Sequence, residues 1–367
     1  MTTKSKKSSV DLTVVAVPFY FLTMWWEYRT LARLPKGSTA GQYESRDTRS
    51  SLLMGQLSLI TPLIAPRLLR WANPSRSKSA KWVAVMSVLL GLSASLLRPR
   101  RSADAAVEIT PQATKQQAVS NRLALGSIIA AWLVLVTWWN SVFTARNLHR
   151  FRIKRRFRHY SVELIVALVG WDFIYYWNHR LMHTVRALWA MHVVHHSSER
   201  YNLSTALRQP VAEPLAAVIP YGLVSVIGVR PSTLNTARGI NLLWQFWIHT
   251  ETVRSLGSSE AVLNSPSAHR VHHGSNGRYL DKNHGGIFIV WDRLFGSYEK
   301  EDEAVIYGLT KNINSFSPWV IVSHEYQALG HDVLAANDWS TRASHLFRPP
   351  GWKPVPASLG APLPVLR

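Results

Sequence analysis

Three short histidine words limit what this chain can become. The run Trp171-Asp172-Phe173-Ile174-Tyr175-Tyr176-Trp177-Asn178-His179-Arg180-Leu181-Met182-His183 ends in two histidines four residues apart. His192-Val193-Val194-His195-His196 follows, and much later comes His269-Arg270-Val271-His272-His273. Eight of the fifteen histidines sit in these words. Residues four apart stack on one helical face, so His179 and His183 can reach one metal, as can His192 with His195 or His196. In each HxxHH the adjacent pair diverges by about a third of a turn, so its rings can serve neighbouring metals. The three words can therefore enclose two ions, with each word touching both. A lone histidine is more often a satisfied core or surface residue; eight at this spacing read as ligands.

Composition narrows the metal and the setting. Cysteine is absent, which excludes disulfides, iron–sulfur clusters, thiolate zinc and a cysteine nucleophile. The ligands are then nitrogen and oxygen, and neutral imidazole suits iron, zinc, copper and nickel. Charged residues are 17% of the chain, against about 25% in soluble proteins. The 16 Trp and 12 Tyr suit a membrane interface. A net charge of +21 admits nucleic acid or anionic lipid as partner. The arginines border apolar segments and no nucleic-acid-binding pattern occurs, so anionic headgroups are expected and nucleic acid is not.

The apolar runs give the expected architecture, an all-α integral-membrane helical bundle. Candidate spans are Leu12 to Trp26 (an uncleaved helix after Lys4, Lys6 and Lys7), Ser51 to Ala65 (limited by Pro62 and Pro66) and Trp82 to Leu97 (closed by Arg98, Arg100 and Arg101). Ala72 to Lys81 reads as a loop and Ser102 to Asn121 as a flexible connection; Leu123 to Phe143 is the strongest span. Arg146 to Arg158 carries seven Arg and Lys and reads as a helix lying on anionic headgroups. Val162 to Trp177 then delivers His179. Val211 to Val229 and Leu234 to Ile248 read as short or broken membrane-inserted helices. Beyond Trp291 the chain is soluble-like and ends in an extended Pro-rich tail. The divisions are 1–159, N-terminal helices and basic segment; 160–307, catalytic region; and 308–367, soluble-like segment and tail. The positive-inside rule conflicts with a cytoplasmic histidine site, because a fully crossing helix over Val162 to Trp177 separates Arg146 to Arg158 from His179.

Further site candidates lie near the words. His249, in Gln245-Phe246-Trp247-Ile248-His249-Thr250-Glu251, ends an apolar segment where the other histidines are expected, and His284 sits in Asp281-Lys282-Asn283-His284-Gly285-Gly286. His149, His159, His324, His331 and His345 lack motif spacing and read as structural or exposed. Asp172, seven residues before His179, can accept a ligand imidazole's second N–H or pair with a cation. Glu199, Asn202, Glu251 and Asp281 are weaker candidates of the same kind. Arg180, Arg208 and Arg270 can hold these carboxylates or meet headgroups.

In that order, HRLMH, HVVHH and HRVHH resemble the histidine boxes of the fatty acid hydroxylase / sterol desaturase superfamily of integral-membrane di-iron oxygenases. The words WDFIYYWNHR, LWAMHVVHHSSERYNLSTALRQ, FWIHTE and HRVHHGSNGRYLDKNHGGIFIVWDRLFGSY are closest in kind to its bacterial sterol desaturase members and its alkylglycerol monooxygenase branch. The resemblance is strong from Tyr160 to Tyr307 and covers the N-terminal helices only in kind. It implies two iron ions held by the motif histidines at the cytosolic ends of the helices, with O2 as cosubstrate. It also implies hydroxylation, desaturation or ether oxidation of a bilayer lipid (fatty acyl, sterol or ether lipid). The electron donor would be external: a ferredoxin, a cytochrome b5-like protein or a pterin. The expected location is the plasma membrane of a bacterium, with the site facing the cytoplasm. Ala268 stands where relatives often carry another histidine, and His284 where many carry tyrosine. The chemistry is consistent: breaking an unactivated C–H bond is beyond acid–base side chains and calls for a redox metal with O2. A histidine-rich metal-binding or transport protein is the alternative, although it would spread ligands along a pathway within the spans. A di-haem cytochrome needs histidines deep in paired spans. A zinc hydrolase needs the HExxH that this chain lacks.

Overall fold

The computed structural model describes residues 11–98, 111–154, 157–211 and 217–354. The basic start at Lys4, Lys6 and Lys7, the Arg100-Arg101 pair with the connection to 110, Arg155, Arg156 and the tail from 355 lie outside the described residues. Among those described there is no strand; only two isolated bridges occur, Leu263 with Phe288 and Gly274 with Tyr307. The architecture is all-α, as expected.

Asp11 caps α1 (Leu12–Val15) by accepting from the Thr13 N–H, and the helix breaks at Ala16 before α2 (Val17–Leu31). The expected span from Leu12 to Trp26 is thus two helices, the second running past Trp26. α3 (Ser45–Leu68) starts at the Glu44 cap and continues through Pro62 and Pro66. The Ser58 and Thr61 hydroxyls bond the Gly55 and Leu57 carbonyls in the turn before Pro62, which helps the helix carry the prolines expected to limit it. α4 (Ser79–Leu96) and α5 (Pro111–Val142) form an antiparallel pair. Ser87 and Ser127 exchange hydroxyl-to-carbonyl bonds of 3.0 and 2.8 Å, and Ser120 bonds the Ala94 carbonyl at 2.6 Å. The helical start at Pro111 corrects the expected flexible connection: proline is favoured in a first turn, and Gln, Ala and Lys after it are good helix formers. Among the described residues α3, α4 and α5 are long and apolar enough to cross a membrane.

The basic run departs from expectation. α6 (Ala145–Leu148) is one turn, followed by a 3-10 turn over His149–Phe151. The Ile153 N–H then bonds the Val226 carbonyl at 2.8 Å, which draws the chain out of helix and onto the 3-10 segment Tyr221–Ile227. α7 (Tyr160–Thr184) and α8 (Arg186–His196) carry the first two histidine words. α9 (Pro231–Trp247) runs beside α7 in the same direction. The pair is joined at its start by Arg230 with Glu163 (2.8 Å) and midway by Asn241 with Asp172. α10 (Pro266–His272), capped by Ser265, carries the third word. α11 (Val290–Leu294) closes a loop against α7, and α12 (Pro318–Ala335) and α13 (Trp339–Phe347) pack on α8.

Asp47 at the start of α3 bonds Ser198 and pairs with Arg208, just beyond the second word, and Ser95 near the end of α4 accepts from Trp339 of α13. The histidines therefore lie at the end of the bundle where α3 begins and α4 finishes. The 70–78 and 143–154 connections lie at the other end, where Asn73 and Thr137 bond each other's neighbourhood.

Candidate metal centre

The last turn of α7 supplies His179 and His183, and the end of α8 supplies His192, His195 and His196. His249 follows α9, while α10 and its C-cap supply His269, His272 and His273. All nine are 2–8% exposed. They form two groups, His179, His183, His192, His196 and His272, and His195, His249, His269 and His273, with candidate ligand atoms in each group within 4.8 Å of one another. In both HxxHH words the adjacent histidines go to different groups, as helical geometry requires. The HxxxH word serves the first group alone, against the expectation that each word would touch both.

Backbone carbonyls fix the rings. His195 Nδ1 donates to Arg208 O (3.2 Å), His249 Nδ1 to Gln245 O (2.6 Å), His272 Nδ1 to Lys282 O (2.9 Å) and His179 Nδ1 to His284 O (2.9 Å). A carbonyl only accepts, so each of these Nδ1 atoms carries the hydrogen and a neutral ring presents a bare Nε2. His195 and His249 then face each other through two bare Nε2 atoms 3.2 Å apart, which is a repulsive arrangement unless a cation lies between or beside them. Among the described residues the Nε2 atoms of His183, His272 and His273 are buried without a hydrogen-bond partner. Burial, with neighbouring imidazoles adding to it, holds His192, His195, His196, His272 and His273 well below the ordinary 6.5, and burial takes His249 down to about 4. Uncharged rings with inward lone pairs fit metal ions, and the donor set is all nitrogen.

His284 belongs to neither group. Its ring lies 5.0 Å from that of His183, its Nε2 donates to Asp281 O (3.0 Å) and its Nδ1 is buried without a partner. His149, His159, His324, His331 and His345 also stay outside the groups.

Among the described residues Asp172 touches no imidazole and no cation. It accepts from Ile287 N (2.6 Å), Phe288 N (3.1 Å), Trp291 Nε1 (2.9 Å) and Asn241 Nδ2, so it holds the loop that orients the rings. Both roles expected for it are corrected. Gly286 allows this approach, since a Cβ there would stand 2.5 Å from Asp172 Oδ1. Glu251 accepts from Thr39 and Tyr307, Asn202 bonds Ser204 and Gly41, and neither reaches a histidine. Asp281 does, at 3.6 Å from His183 Nδ1. Arg208 pairs with Asp47 and Arg270 with Glu301 (2.7 Å), while Arg180 bonds Tyr176 and the Phe295 carbonyl.

The sequence reading missed Asp292, whose carboxylate accepts from His284 N (2.7 Å) and Gly285 N (2.8 Å). It also missed Asn283, which at φ 56° bridges Ala268 O and Glu299 O. An Asp and an Asn in the left-handed region, at 281 and 283, shape the turn that aims the Lys282 and His284 carbonyls. A cavity of about 1350 Å³ reaches His183, His196, His272 and His273 from outside.

Membrane-length helices and a buried double histidine cluster define the class: a membrane protein with a histidine-box centre. Residues 164–297 match the fatty acid hydroxylase family. Alkylglycerol monooxygenase of Homo sapiens is 45% identical over 194 residues, 53% of this chain and 43% of that protein. The same enzyme of Danio rerio is 46% identical, over 53% of this chain and 44% of that protein. Ornithine lipid hydroxylase of Rhizobium tropici is 25% identical over 146 residues, 38% of this chain and 42% of that protein. The matches with these relatives thus span less than half of each relative's length. No solved structure matches the chain significantly.

Proposed function

We propose that the chain is a membrane-bound di-iron oxygenase that uses O2 to hydroxylate or desaturate a lipid. One observation carries the reading: nine buried neutral imidazoles in two adjoining groups, with His195 and His249 presenting bare nitrogens to each other. His179, His183, His192, His196 and His272 would hold one iron, with His284 beside them, and His195, His249, His269 and His273 the other. Iron bound there would supply, with O2, the oxidising power that breaking a C–H bond requires. The chain's own residues do the rest. The carbonyls of Arg208, Gln245, Lys282 and His284 hold the ring orientations, and Asp172 and Asp292 fix the loop bearing two of them. Trp189 and Val193 line the cavity beside the histidines and would offer an alkyl chain an apolar surface there. Electrons come from an external donor of the ferredoxin, cytochrome b5-like or pterin kind. Region 160–307 is the catalytic unit, carried in a bacterial plasma membrane with its histidine end toward the cytoplasm. The relatives named above support a lipid substrate in kind.

Metal analysis of the detergent-purified protein tests this, with lipid profiles of cells that have or lack it under oxygen. The expected result is about two irons per chain, with metal and oxidised lipid both lost in His195→Ala and His272→Ala. A protein that carries zinc alone and oxidises no lipid would overturn the proposal and leave the metal-binding or transport alternative.

A further inference from the structure

One buried carboxylate near the histidines has no part in the site described so far. Glu27, in the last turn of α2, is 1% exposed and lies well outside the matched region 164–297. Three separate segments donate to it. Tyr43 gives its hydroxyl (2.6 Å) and Leu203 its backbone N–H (2.8 Å) to Oε2, while the Thr250 hydroxyl meets Oε1. Among the described residues no lysine or arginine pairs with it. A carboxylate taken out of water without a counter-ion is costly, and these donors are what offsets the cost.

Two of the donors lead straight to the second histidine group. Thr250 follows His249 directly in the chain. Leu203 lies in a tight turn closed by Thr205 N to Asn202 O (2.8 Å) and Arg208 N to Thr205 O (3.0 Å). That turn ends at the Arg208 carbonyl, which accepts from His195 Nδ1. The ring of His195 and the backbone of His249 are thus both referred to one carboxyl group. The neighbouring chain adds to the hold. Met24, one turn before Glu27, is buried with Leu203 and Phe246, and the Ala40 and Gly41 carbonyls accept from Tyr201 N and Asn202 Nδ2 (both 3.1 Å).

The geometry points to Glu27 as a positioning residue that sets the separation of His195 and His249 from a helix outside the matched region. A ligand set tolerates about 0.5 Å of misplacement, so the 202–208 turn and the 248–250 segment must be held to each other closely. Tyr201 Oη to Ile248 O (3.1 Å) is a second tie between them, so loss of Glu27 loosens the pair without releasing it. The inference rests on the oxygenase reading only for a metal in the second group; the tie itself belongs to the metal-free chain.

The test uses the full chain in detergent micelles as wild type, Glu27→Ala, Glu27→Gln and, for a far-end control, Glu163→Gln. Each is stripped by chelation for hydrogen exchange and then reloaded with cobalt(II). In metal-free Glu27→Ala, exchange should rise about tenfold over 201–208 and 248–252 while the last turns of α7 stay protected. Cobalt should fall from about two ions per chain to about one. Adding His249→Ala to Glu27→Ala should then cost no further metal, whereas adding His183→Ala should take the remaining ion. Glu27→Gln keeps an oxygen for Leu203 N, and Thr250 can turn its hydroxyl to Thr252 (2.8 Å) and accept from the amide. Both readouts should therefore return toward wild type. Glu163→Gln, which breaks the pair with Arg230, should melt earlier and keep both ions. Retention of both ions by Glu27→Ala, loss of both together, or unchanged exchange over the two segments overturns the positioning role. If the wild type takes up no metal, the oxygenase reading fails and the exchange result alone decides this inference.

Discussion

A neutral imidazole whose Nδ1 is committed to a carbonyl has one thing left to offer, a lone pair. Collecting such lone pairs in a dry interior costs stability until a cation arrives, and the cost is felt most in acid. In the metal-free chain, burial depresses the folded-state values of His192, His195, His196, His272 and His273 below 6.5, so the unfolded state binds protons that the native state refuses. The stability these residues allow is complete above pH 6.5 and declines as pH falls; for His249 the decline continues to about 4. Each contributes up to about 1.4 kcal/mol per pH unit in that window. Thermal melts of chelated protein between pH 8 and 5 should therefore show a steep loss, and His249→Gln should make it shallower; an unchanged slope would contradict the burial argument. The histidine words were legible in the sequence because helical spacing alone sorts their rings. The role of Asp172 was not. Seven residues put it on the face of His179, but about 10 Å down the axis, where it meets the 287–291 loop instead. Asp172→Ala should cost about 2–4 kcal/mol by leaving buried donors unpaired. It should also lower metal content without removing any ligand, as a paired melt and metal assay would show.

Between elements, the sequence foretold most helices and missed what bends the chain between them. Apolar length announces α3, α4 and α5. The failure at Arg146 to Arg158 has a tertiary cause, since one backbone bond from Ile153 to Val226 outweighs the local tendency. Nothing in the sequence pairs those two residues. The same holds for the C-terminal helices, which read as a separate soluble segment yet wall the histidine cavity, held by Arg186 to Glu325 (2.9 Å) and Asp332 (2.6 Å). Breaking that clamp with Arg186→Met leaves Glu325 and the partly exposed Asp332 without a counter-ion. The expected loss is about 1–3 kcal/mol, discounted for solvent at Asp332. Hydrogen exchange should rise across α12 and α13 while the α7–α9 pair stays protected; uniform protection would mean that the wall is held by packing alone.

At the scale of the whole molecule, sidedness is the property that charge does not decide. The histidine end carries Arg33, Lys36, Arg46, Arg49, Arg98, Arg186, Arg208, Arg270, Lys311 and Lys353 among its cations, and the far end carries Arg67, Arg70, Arg76, Lys78, Lys81, Arg146, Arg150, Arg152 and Lys154. Cations thus lie at both ends of the described bundle, and the conflict with the positive-inside rule met in the sequence persists in the fold. Geometry makes a sharper statement than charge, because α3 and the α4–α5 pair assign the described connections to one end or the other. The chain has no cysteine, so single cysteines can be introduced without any background to remove. Lys36→Cys and Lys311→Cys lie at the histidine end, Ser75→Cys and Arg150→Cys at the far end, and all four positions are exposed. In sealed vesicles an impermeant maleimide should reach the first pair from one face and the second pair from the opposite face, with the first pair reactive only in inverted vesicles if the site faces the cytoplasm. Reaction of all four from a single face would mean that α3, α4 and α5 do not cross, and that the protein lies on one leaflet with its histidines at the surface.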